Sequence, residues 1–407
     1  MRFTARLIVG FALLSIATSA SAQTIAHASV GDTAAVRTLV ARLDLERYKA
    51  TIKGLTQFGD RRQGTDRNRA AVDWIEAQLK SYGCTNTQRV TYDFQPPPPR
   101  TGGPGGAGGA GAQRPMFGAG GSRPRGNMVR RGVNNDSLAQ PDPRLRALNA
   151  QPSTPGERQQ VYCTKVGSTR PDEMYIVGGH MDGIGWGEAA NDDGSGTAIV
   201  MELARIFSSP DVQTERSIRF VLWNNEETGL NGARAYIEQR QALQGKEEPA
   251  GSRQYPEPRW LGMIQHDMML FDHGMPRADG TLSPEQRPEA DVNIEFQSNS
   301  KMVAGSQQLA WFFATANELF ATDYPAAVGQ HMTNTDSAPF QDIIPAISLR
   351  ENERGAQIGA GWSPHWHRPT DLYSTYSDKD FRLGLNAAQT TLGALGQLTG
   401  ATIRPSP

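Results

Sequence analysis

The sequence predicts an α/β protein in which helices cover both faces of a mostly parallel mixed sheet. One observation leads to this prediction. From Met174 onward, short apolar stretches of strand length alternate with longer stretches that have helical periodicity. That alternation is typical of parallel sheets, because each crossover helix must pack on one face of the sheet. In such sheets ligands bind beyond the carboxyl ends of the strands, so functional residues are expected there.

The first predicted element is an amphipathic helix that follows Thr65. Its apolar residues recur at helical spacing, from Ala70 through Trp74 to Leu79, and Gly83 is placed to end it. Strands are predicted after it, in chain order, at residues 87–94, 159–166, 174–178, 217–223, 260–264, 292–296 and 346–349. Further helices are predicted at residues 197–207, 231–239, 302–320 and 380–398.

The first 22 residues have the layout of a secretory signal peptide. Arg2 and Arg6 precede an apolar run at residues 7–17, and an Ala-Ser-Ala cleavage site ends at Ala22. A membrane anchor is the alternative, but this run is shorter than the roughly 20 apolar residues that a spanning helix needs. We therefore expect cleavage after Ala22, no transmembrane segment in the mature chain, and a periplasmic or secreted protein.

The remaining chain divides by composition. Residues 23–94 are expected to form an N-terminal helical segment and the first strand of the main domain, which resumes at 158–400 and leaves a tail at 401–407. Residues 95–157 begin with a run of prolines and continue with a glycine-rich tract, a composition that cannot form a hydrophobic core. We interpret residues 95–157 as a flexible surface insertion.

Charge and cysteine content limit the partners and the metal chemistry. The formal net charge is -1, which gives no electrostatic reason to expect a nucleic acid as partner. In an exported protein the two cysteines, Cys84 and Cys163, could pair if their strands are neighbours, and the sequence leaves that open. Two cysteines cannot build a four-thiolate zinc site, so a metal site must rest mainly on histidine and carboxylate.

Acids and histidines follow several of the predicted strands. His180 and Asp182 come directly after the strand at 174–178 and face the same way in an extended chain. Asp182 could therefore accept the free ring N–H of a metal-binding His180, although a buried histidine beside an acid can equally be structural. Asp267 follows the strand at 260–264, and two more histidines lie beside an acid near the C-terminus.

Two further acidic motifs belong to the same pattern. Residues 191–196, Asn-Asp-Asp-Gly-Ser-Gly, lie immediately before a predicted helix, where a carboxylate could bridge two cations or merely cap the helix. Glu226 and Glu227 follow the strand at 217–223, and their side chains diverge. One could bind a metal while the other moves protons, although a solvated acidic loop is the alternative. Each motif is ordinary alone, but together they predict a metal site.

Charge counting favours two metal ions at that site. Two Zn²⁺ ions bring four positive charges, which Asp192, Glu227, Asp267 and one bridging hydroxide would balance. Such a pair lowers the pKa of the shared water toward about 7 and polarises a peptide carbonyl. Glu226 would then be the general base that takes the proton of the water and passes it to the leaving nitrogen.

In combination these motifs resemble the M28 family of zinc peptidases. The family pattern is H-x-D, N/D-D-x-x-S-G, E-E, an aspartate and a late histidine, and every element has a counterpart in order between about residues 45 and 398. The second element is one residue tighter here, with Asp192 taken as the metal-binding acid. The family's H-x-x-x-D spacing selects His367, with Asp371, over His365 as the late histidine.

The resemblance implies a three-layer zinc exopeptidase fold, two zinc ions per chain and a peptide substrate with a free N-terminus. It implies that His180 and Asp267 hold one zinc, that Glu227 and His367 hold the other, and that Asp192 bridges both. Glu226 takes the proton-shuttling position and Asp182 the histidine-orienting position.

This chain departs from the family pattern at two places. Trp366 stands where many members carry a tyrosine that stabilises the oxyanion, and an indole N–H could donate instead. Residues 336–340, Asp-Ser-Ala-Pro-Phe, have serine in place of the histidine of the family's S-D-H-x-P-F. That histidine is not a metal ligand, so the predicted metal site is retained.

Other functions remain open at this point. A carboxypeptidase would need a cation for the substrate carboxylate, and the candidates near the late histidine are Arg350, Arg354 and Arg368. The single-zinc glutaminyl cyclases, which are acyltransferases, share a similar fold, and a metal-free binding module is a third alternative. Three tryptophans could line the substrate pocket, namely Trp186, Trp223 and Trp362.

Overall fold

The computed structural model describes residues 33–96, 132–271, 292–330, 335–351 and 363–404. The predicted signal peptide, most of the proline- and glycine-rich tract, Arg354 and Trp362 lie outside these ranges. Within these ranges, no helix combines the length and the apolar character needed to cross a bilayer.

A mixed sheet of eight strands forms the centre of the described structure, in the order β1-β2-β5-β3-β6-β9-β7-β8. The strands are β1 Gln88–Phe94, β2 Gly156–Lys165, β3 Arg170–His180, β4 Val212–Gln213, β5 Arg216–Trp223, β6 Arg259–Asp267, β7 Val292–Glu295, β8 Ala326–Gly329, β9 Ala346–Arg350 and β10 Thr402–Ile403. The central strands β5, β3, β6 and β9 are parallel to one another, whereas β1, β2 and β7 pair antiparallel with their neighbours toward the centre. Strands β4 and β10 form a separate small sheet.

Helices cover both faces of the main sheet. They are α1 Thr33–Val40, α2 Leu45–Thr56, α3 Asp66–Ser81, α4 Pro143–Asn149, α5 Gly194–Phe207, α6 Asn231–Arg240, α7 Val303–Phe320 and α8 Asp378–Leu398. Side chains alternate along β3, so Tyr175 and Val177 join the core under α5, α7 and α8, while Met174 and Ile176 join the core under α6. The predicted α/β class, with helices on both faces of a mostly parallel sheet, is confirmed.

Local sequence signals explain where the elements begin. Thr65 caps α3 by accepting a hydrogen bond from the N–H of Asn68, as the sequence suggested. The glycine at position 179 lets β3 pass close to the start of α5, because a Cβ there would lie 2.7 Å from the carbonyl carbon of Gly196. This close approach brings the end of β3 next to the loop that carries Asp192.

Cys84 and Cys163 form a disulfide across a sequence separation of 79 residues. The bond joins the turn after α3 to β2, which pairs with β1. The question that the sequence left open is therefore resolved in favour of pairing.

The structure corrects the interpretation of residues 95–157 as a flexible insertion. From residue 132 onward the chain is folded: residues 137–139 form a 3₁₀ turn and α4 follows. Asp142 caps α4 and Pro143 occupies its first turn, and Gln140 and Asn149 are buried. The predicted insertion therefore includes residues from 132 onward that belong to the folded structure. The tail at 401–407 is also partly ordered, since Thr402–Ile403 form β10.

Candidate metal centre

Three neighbouring parallel strands end at the same edge of the sheet. His180 and Asp267 are the last residues of β3 and β6, which pair with each other. Glu226 and Glu227 lie in the turn after β5, the other neighbour of β3. These acids and the histidine come from distant parts of the chain and converge because the carboxyl ends of adjacent parallel strands share one edge.

Asp192 lies between two histidines. Its Oδ1 atom is 3.2 Å from Nε2 of His180, and its Oδ2 atom is 3.0 Å from Nε2 of His367. Asp267 Oδ1 is 3.7 Å from the same nitrogen of His180, and Glu227 Oε2 is 2.8 Å from the same nitrogen of His367. The five predicted ligands therefore form two groups that share Asp192, one oxygen facing each group.

The chemistry of these atoms fits zinc. Two carboxylate oxygens of the candidate ligands are buried and have no hydrogen-bond partner among the described residues, namely Glu227 Oε1 and Asp267 Oδ1. One ligand atom from each of His180, Asp192 and Glu227 lies within 4.8 Å of the others. Buried polar atoms normally have partners, and converging imidazole and carboxylate atoms without them are a ligand set that zinc binds.

The backbone of Asp192 is held by Asp371. The two carboxylate oxygens of Asp371 accept the N–H groups of Asn191 at 2.8 Å and Asp192 at 3.1 Å, and the Tyr376 hydroxyl donates to it at 3.0 Å. Burial raises the pKa of Asp371 to about 7, although the hydrogen bonds from these N–H groups lower it. The family spacing paired Asp371 with His367, but its carboxylate holds the backbone of Asp192, the acid that the two ligand groups share.

The two histidines are oriented differently. Nδ1 of His180 is 2.9 Å from the backbone oxygen of Asp182, whereas the nearest side-chain oxygen of Asp182 is 4.0 Å away. The Asp182 carboxylate instead accepts the N–H groups of Glu226 at 3.0 Å and Glu227 at 3.4 Å. In this structure the backbone oxygen of Asp182, and not its carboxylate, therefore makes the contact with the His180 ring. Nδ1 of His367 has no hydrogen-bond partner among the described residues.

The late loop places His367, and not His365, among the acids. Nδ1 of His365 lies 2.9 Å from the hydroxyl of Thr370, away from the ligand groups. Trp366 stacks on the His367 imidazole with ring centroids 4.0 Å apart. The indole at the position of the family tyrosine therefore packs directly on a candidate ligand.

Several residues next to the candidate ligands have left-handed backbone conformations. Asn225 precedes Glu226 with φ 65°, Met268 follows Asp267 with φ 59°, and His367 itself has φ 54°. Such conformations are unfavourable for residues other than glycine, and they cluster where the surrounding structure holds functional groups in place.

Burial and neighbouring charges shift the pKa values of the groups at the centre. Burial disfavours the charged forms of both histidines, but the surrounding acids outweigh it and raise the pKa of His180 well above its usual range and that of His367 to about 10. Burial raises the pKa of Glu227 to about 7 and, with nearby acids, that of Glu226 well above its usual range. The site therefore favours added positive charge.

Asp336 is an acid of the centre that the sequence interpretation missed. It is fully buried, and neither carboxylate oxygen has a hydrogen-bond partner among the described residues. It interacts electrostatically with Glu226, Asp267 and His180, and burial raises its pKa well above its usual range. The signal in the sequence is the aspartate that opens the family-like motif at residues 336–340.

The remaining predicted residues have other positions. Arg350 is buried, and its guanidinium lies 3.7 Å from Asp267 Oδ1 and next to the sulfur of Met268. Trp223 is fully buried in the core under α6, where its indole N–H donates to Gln265. Trp186 is partly buried in the loop between β3 and α5.

The chain matches the Peptidase family M28 over residues 160–389. Among curated proteins, carboxypeptidase Q of Xenopus laevis is 40% identical over 73 residues, which is 18% of this chain and 16% of that protein. A probable lipoprotein aminopeptidase of Mycobacterium tuberculosis is 34% identical over 111 residues, which is 27% of this chain and 21% of that protein. The matched stretches thus span about a fifth or less of these relatives.

Solved structures show the same fold. An aminopeptidase from Aneurinibacillus sp. strain AM-1 has a TM-score of 0.56 and 19% identity, covering 91% of this chain and 97% of that one. A zinc aminopeptidase from Bacillus subtilis has a TM-score of 0.56 and 16% identity, covering 89% of this chain and 98% of that one. At these identities the comparison establishes the fold.

Proposed function

The chain belongs to peptidase family M28, and we propose that it is a secreted exopeptidase that holds two zinc ions and cleaves residues from the free amino end of peptides. The observation that carries the proposal is the position of Asp192, with one carboxylate oxygen toward His180 and the other toward His367. A carboxylate shared in this way supports two metal ions in one site.

Each zinc ion would have its own histidine and acid. His180 with Asp267 would hold one, His367 with Glu227 would hold the other, and Asp192 would bridge them. When bound, two such ions acidify a water molecule at the site and polarise a carbonyl group.

Glu226 is the proposed general base. Its backbone is fixed by the Asp182 carboxylate at 3.0 Å, and it lies next to the ligand Glu227 in the same turn. A buried carboxylate held beside the metal ligands suits a group that takes a proton from the attacking water and gives it to the leaving amine.

Asp336 supports cleavage at the amino end. A buried carboxylate without a partner is costly, and a cationic ligand group would relieve that cost. The substrate α-ammonium group is such a cation. Asp336 lies close enough to Glu226 and Asp267 to interact with their charges. We therefore propose Asp336 as a residue that binds the free N-terminus.

A carboxypeptidase of the same family is the second candidate, since carboxypeptidase Q is among the relatives. That activity requires a cation that is available to a substrate carboxylate. Arg350 is buried and faces the candidate ligand Asp267. Its position suits charge balance at the metal site better than recognition of a substrate carboxylate.

The test combines zinc analysis with kinetics on aminoacyl amides and their N-acetylated forms. We expect two zinc ions per chain and turnover of free-amine substrates only. Glu226→Gln should retain both zinc ions and lower kcat by about 10²- to 10⁴-fold. Asp336→Asn should raise KM for free-amine substrates by about 10- to 100-fold, because a charge-assisted hydrogen bond is lost.

Asp323→Asn, a change at a surface ion pair, is the matched control and should leave both parameters unchanged. Equal turnover of N-acetylated substrates would contradict an aminopeptidase, and one zinc per chain would favour the cyclase-like alternative. Full activity of Glu226→Gln would exclude Glu226 as the base.

The proposed location outside the cytoplasm rests on two features of the chain. The first 22 residues have the signal-peptide pattern, and Cys84 and Cys163 form a disulfide, which persists mainly in oxidising compartments. Mass spectrometry of protein recovered from the periplasm or medium should find a mature N-terminus at Gln23.

A further inference from the structure

Residues 132–151, which we call the return segment, lie between the glycine-rich tract and β2 and pack on two loops of the metal centre. One is the loop after β3, at residues 183–190, and the other is the late loop at 363–371, which carries His367. Although composition predicted a flexible linker, three asparagine and glutamine side chains of this segment bond to these loops or to the chain beside them.

Asn134 contacts the candidate ligand residue directly. Its backbone N–H donates to the backbone oxygen of His367 at 3.0 Å. Its side-chain amide donates to the oxygen of Gly185 at 3.4 Å. One residue of the return segment therefore touches both loops.

Gln140 joins the two loops more firmly. It is fully buried, and its Nε2 atom donates to the oxygen of Trp186 at 2.7 Å and to the oxygen of Pro369 at 3.1 Å. Its Oε1 atom accepts the N–H of Asp142, the cap of α4. The amide N–H groups of Gln140 therefore link the two loops, and its amide oxygen is bonded to the residue that caps α4.

The far end of the return segment is anchored in the same way. Asn149 is buried, accepts the N–H of Asp60 at 3.1 Å and donates to the oxygen of Gly187 at 2.8 Å. The loops themselves are in close contact, since a Cβ at position 185 would lie 2.3 Å from the carbonyl carbon of His367. A shift of one loop would therefore move the other.

His367 depends on this support more than His180 does. His180 is the end of a central strand and has a partner for Nδ1 in the backbone of Asp182. His367 lies in a loop, has a left-handed backbone, and has no partner for Nδ1 among the described residues. Its imidazole can be kept in place through its backbone and through the stacked Trp366.

We propose that the return segment is a brace for the metal centre, and that Gln140 is a positioning residue for His367 and hence for the zinc ion that His367 and Glu227 would hold. The inference rests on the proposed two-zinc function. Groups that orient metal ligands through hydrogen bonds typically change metal affinity by about 10- to 100-fold when they are removed.

The test is a zinc titration of the metal-free full chain by calorimetry with a competing chelator. Gln140→Met keeps the side-chain volume but removes both donors. We expect two zinc ions in the unaltered chain, and in the variant a 10- to 100-fold weaker affinity for one zinc with the other unchanged. Leu138→Ala, at a 77% exposed side chain of the same segment, is the matched control and should change neither affinity.

Asn134→Pro provides a second route if Gln140→Met does not fold. Proline removes the N–H that meets the His367 oxygen and leaves Gln140 and α4 unchanged. It should also weaken one zinc selectively. Two unchanged zinc affinities in either folded variant would overturn the brace, and so would equal weakening of both. Fewer than two zinc ions in the unaltered chain would instead refute the proposed function on which the brace rests.

Discussion

Two clusters of buried charge lie at opposite ends of β6, and they differ in whether their polar atoms are satisfied. The metal cluster consists of the five candidate ligands together with Glu226 and Asp336. The arginine cluster consists of Arg219, Tyr236, Glu257 and Trp260. Trp260 and Asp267, one residue of each cluster, are seven residues apart in one strand and so lie roughly 23 Å apart.

The arginine cluster is balanced within the chain. Arg219 forms an ion pair with Glu257, and both are almost fully buried. The Tyr236 hydroxyl donates to Glu257 at 2.7 Å, the Trp260 indole N–H also donates to it, and Arg219 donates to the oxygen of Pro256 at 3.1 Å. None of these side chains has a buried polar atom without a partner.

The metal cluster is not balanced within the described residues. Its acids outnumber its cations, and buried oxygens of Glu227, Asp267 and Asp336 lack hydrogen-bond partners among those residues. The comparison teaches that burial of charge does not by itself mark a functional site, because a fully paired cluster can be structural. Unsatisfied buried acids are the better indicator, since a proton or a bound cation must offset their cost.

The largest expected effect is at the arginine cluster. Glu257→Gln should lower the free energy of unfolding by about 3 to 5 kcal/mol, because it leaves a buried arginine without its counterion. Urea unfolding measures this change, and zinc content should remain that of the unaltered chain. Glu215→Gln, at a partly exposed pair with Arg170, is the matched control and should cost about 1 kcal/mol or less. Loss of zinc from the Glu257 variant would contradict the claim that the arginine cluster is structural and independent of the metal cluster.

Zinc should raise the free energy of unfolding by binding to the metal cluster and not to the arginine cluster. At a free zinc concentration of 100 times the dissociation constant, one site adds about 2.7 kcal/mol to the free energy of unfolding. The same increment is expected in Glu257→Gln, because the two clusters have no residue in common and effects of independent sites add. Urea unfolding with and without a chelator measures both increments. A smaller increment in the variant would show that the clusters are coupled.

The sequence predicted the parts of this arrangement that depend on local pattern. The apolar runs of β3, β5 and β6 located three strand ends, and the residue types after them identified His180, Glu226, Glu227 and Asp267 as candidates. Neighbouring parallel strands bring their carboxyl ends together, independently of the conformation of the loops that follow them. Motif order and spacing added Asp192 and His367, which lie in loops that periodicity cannot place.

Hydrogen-bond partners could not be predicted, because they depend on contacts between distant parts of the chain. Asp371 holds the N–H of Asn191 across 180 residues, and Asp182 holds the N–H of Glu226 across 44. The return segment was missed for the same reason, since its polar side chains are buried only against loops that come much later in sequence. Composition alone favoured disorder there.

The smallest expected effect is at Asp336, which is compared with a second buried acid, Asp60. Replacing each by asparagine should change the free energy of unfolding in opposite directions. In metal-free protein, Asp336→Asn should raise the free energy of unfolding by about 1 kcal/mol, because folding no longer has to bury a carboxylate without a partner or protonate it. Asp60→Asn is the matched comparison, since Asp60 is equally buried but forms a 2.6 Å ion pair with Arg67. That variant should be destabilised by about 3 to 5 kcal/mol, the cost of breaking a buried pair. Urea unfolding of both variants without zinc decides the matter. If Asp336→Asn were also destabilising, Asp336 would have a stabilising role in the metal-free fold, and its assignment to the substrate ammonium group would lose its physical basis.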